Sequence, residues 1–102
     1  MSNLFIEKKD LDILMNIFSD FCPSSEVFAY GSRVNGKAHD GSDLDLAIKN
    51  FPKEKFLFEL KEKISNSNIS FLVDINLYEN LPTSFQQEID KNSIKIYPQI
   101  SL

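Results

Sequence analysis

The chain has 102 residues and 42% hydrophobic content, which suits one compact domain (residues 1–102) and is too apolar for a disordered segment. Its net charge of −4 argues against gripping long nucleic acid, which needs clustered Lys and Arg, but not against a small anionic ligand whose charge is carried by metal ions. The single cysteine, Cys22, excludes an intrachain disulfide and points to a reducing cytosol, and the opening MSNLFIEKKD has no run apolar enough for a signal peptide or a membrane span.

From Lys9 to Phe21, the residues Leu11, Leu14, Ile17, Phe18 and Phe21 recur at helical spacing, with Asp10 near the helix start and Pro23 beyond its end. EVFAYG (Glu26 to Gly31) reads as a short β-branched and aromatic strand stopped by its glycine. Ser32 to Lys37 read as a short helix or helical turn. In DLDLAI (Asp43 to Ile48), alternation puts Leu44, Leu46 and Ile48 on one face and Asp43, Asp45 and Ala47 on the other. Pro52 opens a second helix with Phe56, Leu57, Leu60 and Ile64 as its apolar stripe and a solvated, charged outer face. SNSN (Ser65 to Asn68) closes that helix.

A third strand follows in ISFLVDINLY (Ile69 to Tyr78), with Phe71, Val73, Ile75 and Leu77 inward and Leu72, Asp74, Asn76 and Tyr78 opposite. Pro82 begins a third helix with Phe85 and Ile89 inward, and SIKIY (Ser93 to Tyr97) is a final short strand. The pattern predicts an α+β (mixed α/β) fold, a small sheet covered by helices on one side.

All three glycines, Gly31, Gly36 and Gly41, lie between the first two predicted strands. A strand that ends in Gly-Ser and enters a helical turn aims backbone N–H groups and the Ser32 hydroxyl at one point, an arrangement suited to phosphate. The same residues also make a simple turn with Ser32 as helix cap. The stretch lacks the Gly-Lys-Ser/Thr of a P-loop and the spacing of a dinucleotide fingerprint.

Asp43 and Asp45 point the same way about 6–7 Å apart along a strand. They are either an exposed face or a pair of hard ligands for a divalent cation. Asp74 decides between these readings. It interrupts an apolar strand, where both β-propensity and burial disfavour aspartate. If that strand lies beside DLDLAI, three carboxylates converge and call for cations. Two Mg²⁺ ions, one shared with a triphosphate, meet the requirement of an in-line phosphoryl displacement.

Gly31-Ser32, ten intervening residues, then Asp43-Leu44-Asp45 within SDLDLAI resembles the signature of the DNA polymerase β-like nucleotidyltransferase superfamily. A later strand carrying a third aspartate strengthens the likeness, and the small size resembles its minimal nucleotidyltransferase (MNT) branch. The resemblance implies a mixed sheet of about four strands flanked by helices. It also implies transfer of a nucleoside monophosphate from an NTP, with pyrophosphate leaving.

MNT proteins of this kind act as antitoxins that adenylylate a tyrosine of a partner HEPN-domain ribonuclease, in the cytoplasm. Carried over residue by residue, Asp43, Asp45 and Asp74 are the catalytic and metal-binding set, with Asp74 on the catalytic metal. Gly31, Ser32, Arg33 and Ser42 bind ATP. Asn35 stands where many members carry arginine, and Arg33 or Lys37 is the substitute. The rival reading is a non-catalytic antitoxin that neutralises its partner by contact. A small-molecule nucleotidyltransferase of the aminoglycoside-modifying type is disfavoured by the lack of room for a second domain. His39 reads as exposed, Tyr30 and Cys22 as core, and Phe58 as an exposed ring that marks a partner surface together with Phe51 or Phe56.

Overall fold

The computed structural model describes residues 6–31 and 43–98. The predicted helical turn Ser32 to Lys37, and His39, lie outside the described residues. Helix α1 runs Lys8–Phe21, strand β1 Glu26–Tyr30, β2 Leu44–Lys49, helix α2 Leu57–Ser65, β3 Val73–Leu77, α3 Thr83–Asn92 and β4 Ile94–Tyr97. The strands form one mixed sheet in the order β3-β2-β1-β4, antiparallel except for the parallel β2–β3 pair. A parallel pair needs a long crossover, and α2 lies within it.

The main core follows from the two periodicities. Leu14, Ile17 and Phe18 of α1 and Leu60 and Ile64 of α2 are buried against Val27, Ala29, Leu44, Leu46, Ile48, Ile75 and Leu77. Leu44, Leu46, Ile48, Ile75 and Leu77 belong to the inward sets read from alternation, and Phe71 and Val73 of those sets are partly buried against the same core. Cys22 is buried, and its backbone N–H closes α1 by donating to the Phe18 carbonyl. Asp10 is buried in the first turn of α1, where the Ser70 hydroxyl donates to its Oδ2 at 3.3 Å. This contact ties the helix start to the segment leading into β3. The Ser67 hydroxyl donates to the Ile64 carbonyl at 2.5 Å and caps the end of α2, as SNSN predicts.

The structure corrects the expectation that helices cover one side only. Tyr30, Ala47 and Ile89 form a second buried cluster, with Phe28, Tyr78 and Leu81 packed on it. Phe28 and Tyr30 alternate with Val27 and Ala29 along β1, so α3 lies on the opposite face from α1 and α2. Phe85 is 50% exposed rather than inward. The helix is turned so that Gln86 and Ile89 face the sheet, and the Gln86 Nε2 donates to the Tyr78 carbonyl at 2.9 Å.

Phe56 leaves the predicted stripe because Glu54–Phe56 is a 3₁₀ turn, whose tighter winding puts it out of phase with α2. The α-helix proper therefore starts at Leu57, not at Pro52. Strand β3 begins at Val73 rather than Ile69, since its pairing with β2 starts at Leu44 opposite Val73. Phe51 packs on the main core, so of the three rings proposed as a partner surface only Phe56 and Phe58 are exposed, Phe58 at 68%.

Leu46 sits fully buried on a central strand. Truncating it loses transfer free energy and leaves a cavity, so Leu46→Ala is expected to lower unfolding stability by about 2–5 kcal/mol in urea titrations. Leu72→Ser, at an exposed position, is expected to stay within about 0.5 kcal/mol of wild type. Equal effects at the two positions would contradict this placement of the core.

Candidate active site

The face of the sheet that carries α3 is a grid set by strand register. Tyr30 on β1 pairs with Asp45 on β2, and Asp45 pairs with Asp74 on β3. These three form one row across the sheet. The next row is Phe28, Ala47 and Asn76. Asp43 lies one pleat beyond Asp45 on the same face. Strand pairing thus brings all three predicted acids to one side at one end of the sheet. Ser32, Arg33, Asn35, Lys37 and Ser42 lie outside the described residues.

Gly31 follows directly on the row. Its φ is +84°, in the left-handed region where L side chains are strained, and a Cβ there would stand 2.6 Å from the Asp45 Oδ2. Glycine is therefore required twice over, by the backbone angle and by the carboxylate packed against it.

Burial raises the Asp45 carboxyl above the usual carboxylate range, and the Asp74 and Asp43 charges push it further. Tyr30 is also raised, first by burial and then by Asp45 and Asp74, while its contact with the Asn76 side chain acts in the opposite direction. Asp74 is exposed, and its Oδ2 accepts a hydrogen bond from the Asn76 Nδ2 at 3.2 Å. Among the described residues no lysine or arginine forms an ion pair with any of the three acids. Lys49 shares their face but lies about 13 Å along β2 from Asp45 at the usual rise. Its ammonium sits over the rings of Tyr78, at 4.4 Å, and Phe28, at 5.0 Å.

Hard carboxylate oxygens with no cation beside them among the described residues fit Mg²⁺ in kind. They are not gathered for it: among the described residues no three acidic, histidine or cysteine side chains stand close enough to hold a metal ion. The strands place the acids on one face, and their mutual repulsion opposes closure onto one point. A cation would offset that repulsion.

Residues 12–100 match the family described as Polymerase beta, Nucleotidyltransferase. The chain belongs to that family. It is 37% identical over 92 residues to the Probable protein adenylyltransferase MntA of Haemophilus influenzae, covering 88% of this chain and 81% of the relative. This likeness places it with the minimal nucleotidyltransferases. A solved toxin–antitoxin structure with AMP-PNP shares the fold, with a TM-score of 0.70 at 18% identity over 87% of this chain and 73% of the other. Among the described residues of this nucleotidyltransferase, no helix is long and apolar enough to cross a membrane.

Sequence reasoning put Asn76 and Tyr30 on the correct elements and missed that Asn76 donates to Asp74 and that Tyr30 lies opposite Asp45. Alternation had already set Asn76 on the Asp74 face. The position of Tyr30 opposite Asp45 needed the β1–β2 register, which alternation does not supply.

Asp45 holds its proton more tightly in the folded chain than in the unfolded one. It therefore favours folding once protonated, and that contribution is lost as pH rises through its raised folded pKa. Asp45→Asn is expected to raise the metal-free melting temperature at pH 7 by a few degrees. The gap to wild type should shrink as pH falls into the ordinary carboxylate range. A gap that is absent at pH 7, or that widens in acid, would refute this account of the Asp45 environment.

Proposed function

We propose that this chain transfers AMP from ATP to a tyrosine of a partner toxin, a HEPN-type ribonuclease, and so serves as the antitoxin of the pair in the cytoplasm. The observation that carries the reading is the row Asp45–Asp74, with Asp43 one pleat away and no protein cation beside them among the described residues. The 37% identity to a protein adenylyltransferase supports a protein acceptor, and the toxin–antitoxin neighbour supports a toxin as that protein.

In this reading Asp43, Asp45 and Asp74 would hold Mg²⁺, with Asp74 nearest the acceptor. Gly31, Ser32, Arg33 and Ser42 bind the nucleotide. Bound Mg²⁺ neutralises charge on the triphosphate and on the transferring phosphoryl group. The tyrosine oxygen forms a bond to the α-phosphorus, the bond from the α-phosphorus to the bridging oxygen breaks, and pyrophosphate leaves. Tyrosine, with an unperturbed pKa of about 10, is mostly neutral at working pH. Asp74 accepts its proton and passes it to solvent.

Intact-mass spectrometry of the partner toxin incubated with ATP and Mg²⁺ tests the reading. Wild type is expected to add one or more AMP units on tyrosine. Asp74→Asn is expected to slow transfer by orders of magnitude while nucleotide still binds. No mass change with wild type across nucleotides and metals would reject the transferase, and unimpaired Asp74→Asn would reject the role of Asp74 alone.

A contact-only antitoxin is favoured by one observation: Phe58 and Leu72 are 68% and 73% exposed, large apolar groups free for a partner. The two readings part on the double variant Asp43→Asn with Asp45→Asn. Under the transferase reading it loses transfer and toxin neutralisation yet still co-purifies with the toxin. Under the contact reading it neutralises the toxin as well as wild type does.

A further inference from the structure

Asp74 lies on an edge strand of the sheet and is exposed. An aspartate so placed samples several rotamers unless something holds it. Among the described residues, one side chain donates to it: Asn76, whose Nδ2 stands 3.2 Å from the Asp74 Oδ2. The two residues are one pleat apart on the same face of β3. An ionised carboxylate only accepts hydrogen bonds, so the amide must turn its NH₂ end toward Asp74.

Asn76 is itself half-buried. It lies opposite Ala47, and Ala47 lies opposite Phe28, the neighbour but one of Tyr30 on the same face. Ala47 is fully buried, in the cluster that holds Tyr30 and Ile89. Asparagine is disfavoured within strands, yet here it shares a face with the acids and is partly buried.

We infer that Asn76 is a positioning residue: it fixes the Asp74 carboxylate through Oδ2 and leaves Oδ1 for metal and acceptor. The inference rests on the transferase reading above.

The test compares wild type, Asn76→Ala and Asn76→His, the last offering a ring N–H where the amide N–H was. Two readouts are needed: thermal melting in Mn²⁺ titrations with a non-hydrolysable ATP analogue, and kcat and KM for ATP in AMP transfer to the toxin. Asn76→Ala is expected to melt close to wild type without metal. It should need about 10–100-fold more Mn²⁺ for half-maximal stabilisation, the usual loss on removing a group that orients a metal ligand. Its kcat should fall while KM for ATP stays within about threefold, and Asn76→His should recover most of both losses.

An Asn76→Ala protein with the Mn²⁺ midpoint and kcat of an active wild type overturns the inference and leaves the transferase reading intact. A lowered metal-free melting temperature in both variants, with no shift in Mn²⁺ midpoint, shows a merely structural side chain and overturns it too. Wild type that neither gains stability from Mn²⁺ and nucleotide nor transfers AMP overturns the transferase reading, and the inference with it.

Discussion

The parallel pairing of β2 with β3 is the constraint on which the site depends. It sets Asp45 directly opposite Asp74. A shift of one residue would turn Asp74 into the apolar layer and bring Val73 or Ile75 out, burying a charge and exposing a hydrophobe together. The core on the other face therefore enforces the register. Leu44, Leu46, Ile48, Ile75 and Leu77, packed under α1 and α2, decide where the three acids stand.

That arrangement has a cost in the absence of cations. Asp45 is partly buried, with two like charges acting on it, and among the described residues no lysine or arginine offsets them. The lysine that shares its face, Lys49, is held between the rings of Phe28 and Tyr78, away from the acids. Tyr78 is occupied in turn, since its hydroxyl donates to both oxygens of Asp90 on α3. One end of this face thus carries negative charge that no described residue pairs with, while the other is closed by aromatic, cationic and helical contacts. Such a division suits a site that receives its positive charge with its ligand.

Helix α3 has a part in the site without supplying an acid. Ile89 covers Ala47 and Tyr30, and Gln86 holds the turn after β3 through the Tyr78 carbonyl. With the middle of the face closed in this way, Asp43 and Asp74 stay exposed at one end and Asp45 is half-buried between them. Leu72, beside Asp43 in the register extended by one residue from Leu44–Val73, lies at that end.

Much of this was legible in the sequence because it depends on local periodicity. Alternation within DLDLAI and FLVDINLY placed Asp43, Asp45 and Asp74 on outward faces, and helical spacing found Leu14, Ile17, Phe18, Leu60 and Ile64. The Gly-Ser and Asp-x-Asp motif pointed to the family, since the chemistry needs those residue types at that spacing. Tertiary structure decided what periodicity cannot carry. The side on which α3 docks depends on which face Ile89 finds to cover, so Phe85 was misplaced. Phe56 fell off its stripe because a 3₁₀ turn changed the phase. The row Tyr30, Asp45 and Asp74 joins β1 to β3 across β2, and only the register of three strands brings those residues into line.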